Sequence, residues 1–114
     1  MRIVERKIEL GRQLAEIRDA TPNNRRFGAI VRRQFDIHKA TEASEMARVA
    51  RLHGDRPEIF GNVSWHALTE LASTSTPDDL RRQFEARILA GERVNGAEVI
   101  RARGDSHGGS WQNA

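Results

Sequence analysis

The chain has 114 residues, no cysteine, 38% hydrophobic and 31% charged side chains, and a formal net charge of +3. That length builds one modest core, and the lack of thiols excludes a disulfide framework or a thiolate metal site. No apolar run reaches the roughly 18 residues of a membrane helix and no signal peptide precedes the first charges, so a soluble, cytoplasmic protein with no membrane association is expected.

Met1 to Ala20 reads as the clearest helix. Ile3, Val4, Ile8, Leu10, Gly11, Leu14, Ala15 and Ile17 cover two adjacent stripes, an arc wide enough to pack against two neighbours. Arg2, Arg6, Arg12 and Arg18 alternate with Glu5, Glu9 and Glu16 on the remaining face. Thr21-Pro22-Asn23-Asn24 ends the helix, and an asparagine there can cap the next one.

The stretch from Asn24 to Gly54 organises the chain. Phe27, Ile30, Val31 and Phe35 recur at helical spacing through Arg25 to Phe35. Asp36-Ile37-His38-Lys39 breaks the pattern without glycine or proline. A second periodic segment then carries Ala40, Ala43, Met46, Ala47 and Ala50 on one stripe. Two short helices joined by a tight turn are the outline of a helix-turn-helix.

Gly54 is the expected stop, and His53-Gly54-Asp55-Arg56-Pro57 a loop. A single turn over Glu58 to Phe60 and a helix over Trp65 to Ser73, capped by Ser64, follow. Thr76 reads as an N-cap with Asp79 three residues on and Pro77 at the first helical position. The helix from Pro77 to Ala90 ends at Gly91, and a last short helix covers Ala97 to Arg103. No segment alternates at period two. The expected fold is all-α: a compact bundle of five to six short helices containing a helix-turn-helix over residues 1–103, with a disordered tail over residues 104–114. Leu14, Phe27, Ile30, Phe35, Met46, Leu68, Leu71, Leu80, Phe84 and Val99 are the expected core.

Catalysis finds little footing, and no enzyme activity is expected. His38, His53, His66 and His107 lie apart, and none has a metal ligand at i+3 or i+4, so neither metal nor cofactor is expected. Asp78 and Asp79 sit where acids complement a helix dipole. Arg103-Gly104-Asp105 spells an adhesion tripeptide by coincidence.

Charge is more informative. Residues 1–57 hold 13 basic and 8 acidic side chains, a balance of +5, whereas residues 58–114 hold 6 and 8, a balance of −2. A basic half carrying a helix-turn-helix outline points to a polyanion. Arg25, Arg26, Arg32 and Arg33 on the first helix of the motif suit phosphates. His38 and Lys39 in the turn, with Thr41, Ser44 and Arg48 on the second helix, are the remaining candidates, the last four for base edges. Glu42 and Glu45 on that helix oppose binding to a polyanion.

The run Phe27-Gly28-Ala29-Ile30-Val31 through Phe35-Asp36-Ile37, followed by Val63-Ser64-Trp65-His66-Ala67-Leu68-Thr69-Glu70-Leu71-Ala72, resembles the core of ParB/KorB-type helix-turn-helix domains. It is similar also to related small proteins of plasmids, prophages and integrative elements. The segment from Ser75 to Arg81, with Ala90 to Val99, resembles their closing portion. This resemblance, over roughly residues 5–103, implies an all-α DNA-binding fold and a role in element maintenance, replication or gene control. The chain departs at Asp36, where glycine is common in that family, and at Glu42, where a small apolar residue is usual. No site residue is therefore carried over from it.

The expected function is a small non-enzymatic DNA-binding protein, a transcription regulator or partition factor of a mobile element, acting on double-stranded DNA as a homodimer. The alternative is a protein-interaction module on the same scaffold, whose partner is another regulator.

Overall fold

Every regular element among the described residues is helical. The computed structural model describes the backbone of residues 3–112 and the side chains of residues 3–104. Seven helices follow in order: α1 (Ile3–Ala20), α2 (Asn24–Phe35), α3 (Ala40–His53), α4 (Pro57–Phe60), α5 (Trp65–Ala72), α6 (Asp78–Leu89) and α7 (Gly96–Gln112). The chain divides into two compact units, Met1–Pro57 and Glu58–Ala114.

In the first unit α1 packs along α3, and α2 touches both. Gly11 is the point of closest approach, because a β-carbon there would lie 2.3 Å from the Met46 carbonyl oxygen and 3.0 Å from Ala50 Cβ. Ile8, Leu14 and Ala15 of α1 and Ala43, Met46, Ala47, Val49 and Ala50 of α3 are buried. Two arginines tie these helices at their edges. Arg12 donates to the Gly54 carbonyl, and Arg51 donates to the Ala15 carbonyl (3.3 Å) and to Asp19. His53, in the last turn of α3, is fully buried, a position that periodicity alone did not mark.

Asn23 caps α2, its side chain accepting from the Arg26 N–H at 2.9 Å. The helix ends at Asp36, which adopts a left-handed conformation (φ 55°, ψ 33°). Asp36 and Ile37 both donate to the Val31 carbonyl. Ile37 is thereby drawn into the core and is buried. Of the core expected here, Leu14, Phe27 and Met46 are buried, while Ile30 and Phe35 are half-buried.

In the second unit α5 packs on α7, and α6 touches α7. Ser64 caps α5 by accepting from the Ala67 N–H at 3.2 Å. Leu68, Leu71, Phe84, Ile88 and Val99 are buried, Trp65 and Leu80 half-buried, and Leu89 and Ile100 exposed. Gly91 ends α6 with φ 90°, a conformation that a β-carbon disfavours.

One expectation is corrected here. Thr76 does not cap α6: Pro77 holds the cap position without a side-chain bond. Thr76 is buried instead, donating to the Glu70 carbonyl at 2.6 Å and accepting from Arg103 Nη1 at 3.2 Å. The last helix is assigned over Gly96–Gln112, and its side chains are described as far as residue 104. Gly104, Gly108 and Gly109 are weak helix formers, but no proline blocks the ladder in this segment. The side chains of Asp105 and His107, both weighed above, lie outside the described residues, as do residues 113 and 114 entirely.

Candidate nucleic-acid interface

The first unit carries all nine residues singled out for DNA contact. That unit has a charge balance of +5, and the second unit −2.

An α-helix turns about 100° per residue, so Arg25, Arg26, Ala29, Arg32 and Arg33 fall on one arc of α2. All five are exposed. The opposite arc holds the buried Phe27 and Val31 and anchors the helix. No acidic residue occurs in α2. Among the described residues, none of the four guanidinium groups meets an ion-pair partner. Of the other arginines, Arg51 pairs with Asp19, Arg81 with Asp78, Arg87 with Glu92 and Glu98, and Arg103 with Glu70, while Arg48, Arg82 and Arg93 have no ion pair among the described residues. Arg26 and Arg33, one above the other, also line a shallow groove of about 390 Å³ with Ala29, Ile30 and Gln34.

His38 and Lys39 are exposed on the connection between α2 and α3, with His38 Nε2 3.2 Å from Asp36 Oδ1. The left-handed Asp36 explains how this tight connection forms without glycine. Aspartate is one of the few residues that tolerate the conformation, since its short polar side chain can bond locally.

Thr41, Ser44 and Arg48 come together on the open face of α3. They line a groove of about 430 Å³ with Ala40 and Glu45 of the same helix, Asn24 and Phe27 of α2, and Arg18 of α1. Arg18 is held in place by donating to Asn24 Oδ1 and by lying 4.7 Å from the centroid of the Phe27 ring. Arg48 has no ion-pair partner among the described residues. Glu42 is exposed but does not line the groove, whereas Glu45 does.

Arg18, Asn24 and Glu45 were not among the site residues inferred from sequence. Arg18 belongs to an alternating-charge face that reads as ordinary solvated surface. Only the fold of α1 against α2 turns it toward α3. Among the described residues no group of three or more histidine, aspartate or glutamate side chains could hold a metal ion, and no helix is long and apolar enough to cross a membrane.

No protein-family model matches this chain, and neither a curated protein nor a solved structure does.

Proposed function

We propose that this chain is a small non-enzymatic DNA-binding protein, with α2 lying against the phosphate backbone and the open face of α3 meeting base edges. The observation that carries this reading is the arc of four exposed arginines on α2 with no acid to neutralise them. Guanidinium groups fork onto phosphate oxygens, and displaced counterions make such contacts favourable at low salt. A neighbouring helix face bearing Thr41, Ser44 and Arg48 offers the donor and acceptor types that read a major groove. One such module covers little DNA, so specific binding calls for a homodimer on two half-sites. The resemblance noted in the sequence adds a role in regulation or maintenance of a mobile genetic element.

A second reading rests on Glu42 and Glu45, both exposed on α3. Their charge would suit a basic protein partner better than a phosphate backbone. An electrophoretic mobility shift on random-sequence duplex, titrated with salt, separates the two. DNA binding gives a shift that weakens steeply as salt rises. No shift even at low salt leaves the protein-partner reading in possession.

A further inference from the structure

We infer that Glu45 is a specificity-determining residue that selects a cytosine in the major groove, an inference that rests on the DNA-binding reading above. Glu45 is exposed in the wall of the α3 groove, beside Ser44, one turn beyond Thr41 and three residues before Arg48. Two arginines, Arg18 and Arg48, line the same groove, yet neither pairs with it. Arg18 is committed to Asn24 and the Phe27 ring. Glu9, Asp19, Glu70, Asp78, Glu92 and Glu98 have arginine partners, whereas Glu45, like Glu5, Glu16, Glu42 and Asp79, has no ion pair among the described residues, and of these it alone lines the groove. The Glu45 carboxylate thus keeps its acceptor sites on the one helix face that carries base-reading groups.

A carboxylate needs a donor, and the major groove offers two exocyclic amines, cytosine N4 and adenine N6. Adenine places the N7 lone pair beside its amine, which repels the second carboxylate oxygen. Cytosine places C5–H there instead, which does not. Guanine, which pairs with that cytosine, presents O6 and N7 to a guanidinium such as that of Arg48. The same charge that accepts from cytosine repels phosphates, so Glu45 weakens binding to every other sequence while favouring this one.

The test is selection of duplexes from a randomised library by the wild-type protein and by Glu45→Ala, with binding to unselected duplex measured in parallel. Glu45 is exposed and unpaired, so the variant should keep its fold, which its circular dichroism melt checks. The expected result is a site with one invariant C·G pair that Glu45→Ala no longer requires. Discrimination of about tenfold or more disappears at that position, the other positions hold, and unselected duplex binds a few-fold more tightly. Identical selected sites for both proteins would overturn the role of Glu45, as would wild-type binding without any sequence preference. Either result leaves DNA binding standing. Wild-type protein that retains no duplex at low salt would overturn the DNA-binding reading itself, and this inference with it.

Discussion

Gly11 and Met46 set the distance between the two principal helices of the first unit. A β-carbon on Gly11 would stand 2.3 Å from the Met46 carbonyl oxygen and 2.9 Å from its carbonyl carbon, so α1 and α3 meet backbone to backbone. Gly11→Ala pits the better helix propensity of alanine, worth about 1 kcal/mol, against an overpacking cost of about 1–3 kcal/mol or more. The clash is with backbone and cannot be relieved by turning a side chain, so the cost prevails. A lowered midpoint in urea or thermal unfolding is expected. An unchanged or raised midpoint would contradict this packing of α1 on α3.

Asp36 is the one non-glycine residue with positive φ among the described residues. Substituting glycine removes the steric cost of the left-handed conformation, so Asp36→Gly should stabilise the protein by up to about 1 kcal/mol. Asp36→Ala should destabilise it by a similar amount, since alanine keeps the β-carbon and loses the carboxylate that lies 3.2 Å from His38. Thermal melts of the two variants check the sign, and a reversed order would mean that the turn is not built as described.

In the second unit the Arg87 guanidinium, 2.7 Å from Glu98, holds the Glu98 carboxyl below its ordinary pKa, chiefly through that hydrogen bond. The same bond raises Arg87. A carboxylate with a depressed pKa in the folded state stabilises at neutral pH. That contribution fades as pH falls below the ordinary carboxylate value and down through the lower value of Glu98. Glu98→Gln should therefore melt earlier than wild type at about pH 7, with the gap narrowing as the pH falls below the ordinary carboxylate range. A gap that persists unchanged in acid would show that the pair contributes through packing and not through charge.

Much of this fold was legible where neighbours in sequence decide the outcome. The two-stripe pattern of α1 located a helix that packs on one neighbour and touches a second. Ser64 lies directly before the first apolar turn of α5 and caps it. The basic arc of α2 was legible for the same reason, since a helix without acids cannot neutralise its own arginines. What depends on distant partners was not legible. Thr76 has the spacing of a cap, but Glu70 and Arg103 claim its hydroxyl. The groove on α3 takes one wall from Arg18 and Asn24, which no spacing rule connects to Thr41 or Arg48. How the tight turn after α2 is built was not legible either, since neither glycine nor proline marks it and Asp36 supplies the left-handed backbone instead.

The central claim is that the arginines of α2 hold phosphates, and the salt dependence of Arg32→Ala/Arg33→Ala tests it most directly. Both side chains are exposed, so the double variant should fold like wild type. Binding to one fluorescent duplex would be measured by anisotropy across a salt series. Each phosphate contact contributes a slope of about −0.9 in log affinity against log salt, so losing two should flatten the slope by up to about 1.8. Affinity should fall alike for every duplex sequence. A double variant with the affinity and slope of wild type would contradict the account, leaving the basic face of α2 as ordinary solvated surface.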